Sequence, residues 1–419
     1  MLKQVFSTTV VRLSIAVMGL LVTTLNARVL GAEGLGEIRI FTVTVTLLVI
    51  VANFVGGPHL IFRSTRHSLS GLLLRSYAWC IAVSVLFFCV QYVPGLAFKH
   101  HDVIALSTMF YALGWVHVYC LIGFERITLQ NLVVFSFNGL LLVGVWMSYY
   151  VLGWSEPIYF VIIYAVAAIS QWLLGGAMLF VNRKRAIVKP PEQLTKVLLK
   201  DGVYVQSGNL FQQLNYRLGD YILEATWGKA AVGIYGLAIQ LAEGIWTVAR
   251  SASLVQYARL SNMANKERAK KITFQFAKAV VIVSVFGFLV LSFLPKSFYA
   301  LLFGEELVAV RGILRWLLPA LSLYSAGFIY SHYFSSQGQF KINTLVSFIG
   351  LIVILLTAPL FIPRFGIPGA IAAHSATYLA SLLGFIVMLK RQPSRAHRWL
   401  WPSRKDLRWL RRITTGSHT

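Results

Sequence analysis

From Val10 to Leu389 the chain repeats one pattern, an unbroken apolar run of about twenty residues followed by a short polar break. A bilayer core about 30 Å thick takes about 20 residues of helix. The pattern therefore predicts helices near 10–30, 38–56, 72–93, 103–123, 132–152 and 158–181. Six more are predicted near 201–223, 230–250, 272–294, 313–335, 342–362 and 367–389. Whole segments such as Ile342–Ile362 carry no charge, which excludes a water-soluble helical protein. Membrane β-strands would show ten-residue alternation, and the runs here do not alternate. The fold class read from the pattern is an all-α polytopic membrane protein with about 12 transmembrane helices.

Composition agrees, with 57% hydrophobic residues in 419 and a mean hydropathy of +0.70. Trp115, Tyr149, Tyr150, Trp154 and Tyr159 gather near span ends, where amphipathic rings suit the headgroup zone. The formal charge of +24 invites a nucleic-acid reading, so its placement decides. With the N-terminus inside, 27 Lys and Arg fall on the cytoplasmic connections and tail, and 8 on the opposite side. The other 3, Arg217, Arg250 and Lys278, lie within or at the edge of helices. That asymmetry is the positive-inside pattern; it puts both termini in the cytoplasm and makes the charge a topology signal, with no nucleic-acid partner. The tail mixes Arg and Lys with Trp399, Trp401 and Trp409, which suits either an anionic leaflet or a solvated segment. The first apolar run lacks a small-residue cleavage site and is too long for a signal peptide. Cys80, Cys89 and Cys120 all fall in spans three and four, an odd number that predicts no disulfide, metal site or cofactor.

The chain reads as two similar halves. Residues 1–182 form an N-terminal six-helix lobe, 183–200 a basic cytoplasmic linker, 201–389 a C-terminal six-helix lobe and 390–419 a basic cytoplasmic tail. After span one comes Gly31-Ala32-Glu33-Gly34-Leu35-Gly36; after span seven comes Gly228-Lys229-Ala230-Ala231-Val232-Gly233. Both place two glycines five residues apart at the same hairpin, where they permit a tight turn and close helix packing. A second echo pairs Gly123-Phe124-Glu125-Arg126 with Gly338-Gln339-Phe340-Lys341. Six-span halves starting on the same face are parallel repeats, related by a pseudo-twofold axis along the membrane normal. A cavity between the lobes and alternating access by rocking go with that architecture.

The stretch Arg28-Val29-Leu30-Gly31-Ala32-Glu33-Gly34-Leu35-Gly36 resembles the N-terminal signature of bacterial polysaccharide and O-antigen flippases. Asp220–Tyr235 and Phe365-Gly366-Ile367-Pro368-Gly369-Ala370-Ile371-Ala372-Ala373 resemble their counterparts in the second half. The resemblance covers nearly the whole chain and rests on glycine placement and helix order. It implies membership of the multidrug/oligosaccharidyl-lipid/polysaccharide exporter superfamily. It also implies transfer of undecaprenyl-pyrophosphate-linked oligosaccharide across the inner membrane. The related lipid II flippases usually carry two further helices, so their absence from the pattern points to the O-antigen or capsule type.

Polar residues inside spans are functional candidates, because buried charges at mid-membrane cost several kcal/mol without a cavity or partner. Span seven holds most of them. Gln206, Asn209, Gln213, Arg217 and Asp220 step by three or four along one helical face, with Asn215 beside them. This face is expected to line the substrate cavity. Arg217 and Asp220 are spaced to pair when the cavity is empty, and a pyrophosphate would then take the guanidinium. On span eight, Gln240, Glu243, Thr247 and Arg250 share a face. Glu243 and Asp220 are candidates for coupling transport to H⁺ or Na⁺, and Glu243 has structural pairing with an Arg as its alternative role. Arg250 is either a cavity residue or a topology residue.

In the first lobe Arg28 is the outer-end substrate candidate, while Asn26, Glu33, Glu37 and Arg39 suit interfacial anchoring. Asn53, His59, Arg63 and Arg66 are weaker candidates near the inner mouth. His117, His332 and His374 read as hydrogen-bonded core histidines. Tyr204, Tyr216, Trp227, Tyr235 and Trp246 either pack or stack on sugars. Pro295, Pro319 and Pro359 are expected to kink or end helices.

Two other classes compete with a flippase. A small-molecule or drug antiporter of the same superfamily would need cavity carboxylates, whereas Arg residues are expected to match or outnumber them here, which suits a polyanionic headgroup. A membrane enzyme would need a sizeable outer loop, and the longest, near Pro295–Gly312, is short. No nucleotide-binding Gly-Lys-Ser/Thr loop, Asp-x-Asp pair or His-Glu-x-x-His motif is present. The expectation is a non-enzyme acting on lipid-linked oligosaccharide within the bilayer, with polysaccharide polymerases or glycosyltransferases as candidate protein partners.

Overall fold

A computed structural model describes residues 2–392 apart from 66, 91, 94–98, 182–193, 262 and 264. Arg66, most of the 183–200 linker and the tail tryptophans lie outside the described residues. Every regular element among those described is helical. In chain order they are α1 (Leu2–Gly56), α2 (Leu60–Arg63), α3 (Leu69–Val90), α4 (His101–Gly123), α5 (Ile127–Tyr150) and α6 (Pro157–Val181). Then follow α7 (Leu194–Ser261), α8 (Lys266–Phe293), α9 (Lys296–Phe303), a 3-10 turn (Glu305–Leu307), α10 (Val310–Ser336), α11 (Phe340–Phe365) and α12 (Ile367–Arg391). Helices answer the demand of hydrocarbon, where each backbone donor and acceptor must be satisfied internally.

Ten helical stretches among the described residues are long and apolar enough to cross a bilayer. Two of the helices exceed one crossing, α1 at 55 residues and α7 at 68. At 1.5 Å per residue a straight α7 would be roughly 100 Å long, over three bilayer cores. Each is broken at one glycine, Gly31 at φ 64, ψ −165 and Gly228 at φ 79, ψ 177. Residues with a Cβ are strained there, so the first glycine of each echo is the one that permits the break. The second echo differs in detail. Gly338 (φ 71) supplies the left-handed residue between α10 and α11, but Glu125 (φ 60) does so between α4 and α5. Gly123 is needed for packing, since a Cβ there would strike Ser64 and the Ile61 carbonyl.

The chain forms two compact units. The first holds Met1–Leu214, Gly228–Gly233 and Leu302–Leu307; the second holds Asn215–Trp227, Ile234–Leu301 and Val308 onward. The 1–182 lobe read from the sequence falls within the first unit, and 201–389 is shared between the two.

In the first unit α1 packs on α3, α4, α5 and α6, and α4 packs on α3 and α6. Val45, Ala52, Val116, Leu121, Val133 and Val161 form part of its apolar core. Hydroxyls inside these helices turn back on carbonyls one turn earlier, as Thr44 does on Ile40 and Ser84 on Cys80. Buried Asn26 accepts from the Tyr149 hydroxyl at 2.7 Å, so both residues tie α1 to α5. Tyr150 is exposed, and Trp154, also exposed, stacks on Tyr159, as interfacial rings do.

In the second unit α10 packs on α8 and α12, and α11 on α12. Asn265 caps α8 by accepting from the Arg268 amide at 2.9 Å. Lys270, almost fully buried, donates to the Leu389 carbonyl at 2.7 Å and to that of Gln392 at 3.3 Å. It thereby satisfies carbonyls at the end of α12 that have no intrahelical donor. Pro295 separates α8 from α9, while Pro319 lies inside α10 and Pro359 and Pro363 inside α11.

Candidate functional site

The polar face of α7 is divided between the two units. In the first, Gln206, Asn209, Gln212 and Gln213 face a cavity of about 290 Å³. Thr46, Val49, Ile50 and Asn53 of α1 and Tyr111, Trp115 and Tyr119 of α4 complete the lining. None of these side chains is charged. Gln206 donates to the Asn53 carbonyl at 3.4 Å and accepts from Asn209 at 2.8 Å. Asn53 itself leaves helical geometry at φ −95, ψ 18. The α7 amides and Asn53 are legible in the sequence, whereas Trp115, expected as an interfacial ring, lines this cavity with Tyr111 and Tyr119, which the pattern does not single out. Their signal was present as a stripe at i, i+4 and i+8.

In the second unit Arg217 Nη2 donates to both carboxylate oxygens of Glu243, at 2.9 and 3.2 Å. The side chains of the pair are only 15% and 21% exposed. Spacing within span seven had suggested Asp220 as the partner. Asp220 is fully buried, and its charge adds to the attraction on Arg217. Arg217 Nη1 is buried with no hydrogen-bond acceptor among the described residues. His374 sits against Gly219 and lies 3.0 Å from both the Tyr235 hydroxyl and the Ala370 carbonyl. The charges of two carboxylates, Glu243 and Asp220, thus act on one guanidinium.

The other expected residues separate into packing and surface roles. Asn215, buried, donates to the Ser347 carbonyl at 2.9 Å and ties α7 to α11. Gln240 is half-buried, and Arg28 and Arg250 are exposed, the Arg250 guanidinium lying 5.2 Å from the Phe328 ring centre. Tyr216, Tyr235 and Trp246 are buried among other aromatics, and Trp246 donates to the Leu321 carbonyl. Trp227 donates to the Ile362 carbonyl and packs on Gly366, while Tyr204 is exposed. His117 bonds Tyr77 and the Trp172 carbonyl, and His332 lies 2.9 Å from the Phe328 carbonyl, as core histidines.

Two clusters in the first unit went unread. At the glycine breaks, a Cβ on Gly36 would collide with the Lys229 carbonyl and one on Gly233 with that of Ala32. Beside them Glu37 is bonded by Lys229 at 2.9 Å, Lys99 at 2.7 Å and His100 at 2.9 Å, which is more than interfacial anchoring. Glu306 accepts from the Ala32 amide at 3.0 Å. At the end of α2, Arg63 donates Nε and Nη2 to Asp201 at 2.9 and 2.7 Å. A Cβ on Gly202 would strike the Phe54 carbonyl.

The family model described as "Polysaccharide biosynthesis protein" matches residues 1–254. The chain belongs to that family. It is 27% identical over 184 residues to the capsular polysaccharide biosynthesis protein CapF of Staphylococcus aureus, 42% of this chain and 46% of that protein. The match therefore spans about half the length of that curated relative. Among solved structures, the lipid II flippase MurJ in an inward closed conformation superposes with a TM-score of 0.73 at 16% identity. That superposition covers 99% of this chain and 93% of MurJ. An inward-facing multidrug resistance MATE family transporter of the MOP superfamily gives a TM-score of 0.66 at 17% identity, covering 91% of this chain and 99% of the transporter. The fold of this family member is thus that of MOP-superfamily transporters, an all-α polytopic membrane protein.

Proposed function

We propose that this protein translocates an undecaprenyl-pyrophosphate-linked oligosaccharide from the cytoplasmic to the periplasmic leaflet of a bacterial inner membrane, by alternating access. Both termini are cytoplasmic in this reading. The observation that carries it is Arg217, which keeps one arm on Glu243 and a second, Nη1, without an acceptor inside a membrane-spanning helix. A guanidinium fork suits the oxygens of a pyrophosphate. The family match and the uncharged polar cavity support the same reading. No step changes a covalent bond of the substrate.

The test uses purified protein in liposomes with a fluorescent undecaprenyl-pyrophosphate oligosaccharide and a membrane-impermeant glycosidase outside. Protein-dependent acceleration that Arg217→Ala removes, with insertion and folding intact, supports the reading. Acceleration equal in wild type and Arg217→Ala refutes the headgroup role, and no acceleration with any glycan or ion gradient refutes translocation of this substrate class.

A second reading, an ion-coupled antiporter of small molecules, is favoured by one observation, the excess of carboxylate over guanidinium around Arg217. It predicts export of soluble cations driven by a proton or sodium gradient, and loss of that export in Asp220→Asn.

A further inference from the structure

We infer that the cavity of the first unit is a subsite for an uncharged sugar ring. The inference rests on the translocation reading for the lipid that carries the sugar, and it goes further by assigning the glycan its own place, apart from Arg217.

Three observations point the same way. Between Ala112 and Leu121 of α4 only Trp115 and Tyr119 are not buried, and both line the cavity. Rings spaced one turn apart offer flat faces to the C–H side of a pyranose. Opposite them stand the α7 amides, each with donors and acceptors for neighbouring hydroxyls. Finally, two buried acceptors at this cavity, Asn53 Oδ1 and Gln213 Oε1, have no hydrogen-bond donor among the described residues. A buried acceptor left unmatched costs about 1–3 kcal/mol, and sugar hydroxyls are the donors that would relieve it.

The lining also sets what is excluded. With no Lys or Arg to meet a carboxylate, the cavity disfavours a uronic acid. With no Asp or Glu, it gives an organic cation nothing to pair with. At about 290 Å³ it is at the small end of ligand pockets, roughly 300–1,000 Å³, so it takes a small part of a glycan rather than a whole repeating unit.

The experiment measures binding to the purified full-length protein in detergent. The probes are undecaprenyl pyrophosphate bare, bearing a neutral disaccharide (glucose or N-acetylglucosamine units), or bearing a disaccharide whose first sugar is a uronic acid. The neutral glycolipid is expected to bind on the order of tenfold more tightly than the bare lipid, about what one or two good hydrogen bonds give. The uronate lipid gains nothing. Gln213→Leu and Trp115→Leu each abolish the advantage and leave bare-lipid affinity within about twofold, whereas Trp115→Phe, which keeps a ring, retains most of it.

A wild type with no preference for either neutral lipid overturns the inference. So do variants that weaken bare and sugar-bearing lipids alike, since a structural role acts on both. Binding preference that persists where liposomes show no translocation sinks the transport reading and leaves the subsite standing. Translocation without the preference does the reverse.

Discussion

Removing either member of the Arg217–Glu243 pair should destabilise the protein, and unequally. Both side chains are largely withdrawn from water, at 15% and 21% exposure, and fully buried Asp220 adds its attraction on Arg217. Glu243→Gln keeps an oxygen for Arg217 Nη2 and leaves Asp220 as counter-charge. Its cost is that of weakening a charge-assisted hydrogen bond, about 1.5–3 kcal/mol. Arg217→Met strands the carboxylates of Glu243 and Asp220 without their cation, the case of an uncompensated buried charge, about 3–5 kcal/mol. Adding Glu243→Gln to Arg217→Met removes one stranded charge, so the double variant should be more stable than Arg217→Met alone. Thermal unfolding in mild detergent, followed by loss of the monodisperse peak, gives the order wild type, Glu243→Gln, double variant, Arg217→Met. A Glu243→Gln midpoint at or below that of Arg217→Met would refute the charge accounting. Strict additivity in the double variant would show that the two residues do not interact.

Three further outcomes are expected. Gly36→Ala sets a methyl against the Lys229 carbonyl and should cost that contact about 1–3 kcal/mol; the readout is faster labelling of a cysteine placed at Ala32 by an impermeant maleimide, and unchanged labelling counts against the contact. Lys270→Met removes the donor to the Leu389 and Gln392 carbonyls and should destabilise by about 1.5–3 kcal/mol, measured as a lower unfolding midpoint; an unchanged midpoint would show that the cap is dispensable. A C-terminal green fluorescent protein fusion should fluoresce and an alkaline phosphatase fusion stay inactive, and the opposite pair of results would invert the proposed topology.

Much of the fold was legible because hydrocarbon leaves few choices. An uncharged run such as Ile342–Ile362 must be helical in a membrane, and it forms the body of α11. Glycine spacing was legible too, because only glycine holds the angles of Gly31 and Gly228 without strain. The partner of Arg217 was not. Helical spacing relates residues along one segment, so it offered Asp220, whereas Glu243 lies 26 residues on, beyond the break at Gly228. The aromatic wall was hidden for a similar reason. Tyr111, Trp115 and Tyr119 sit in an apolar helix where rings usually pack, and only their incomplete burial opposite α7 amides sets them apart. Glu37 looked interfacial because Lys99 and Lys229 come from distant turns.

The two roles weighed for Glu243, pairing and ion coupling, become one equilibrium in the proposed mechanism. Arg217 has to loosen its hold on Glu243 before both arms of its fork meet a pyrophosphate, and in doing so it exposes a carboxylate in a poorly hydrated interior. A proton or sodium ion taken up at Glu243 or Asp220 removes that penalty. Headgroup and cation therefore favour each other's binding, and by linkage each raises the other's affinity by the same factor. The excess of carboxylate over guanidinium, which counted for an antiporter, then works for a flippase, since the second negative charge is where the cation binds. In this reading the charged cluster handles the part of the substrate that every lipid-linked glycan shares, while the uncharged cavity of the first unit handles the part that differs between glycans.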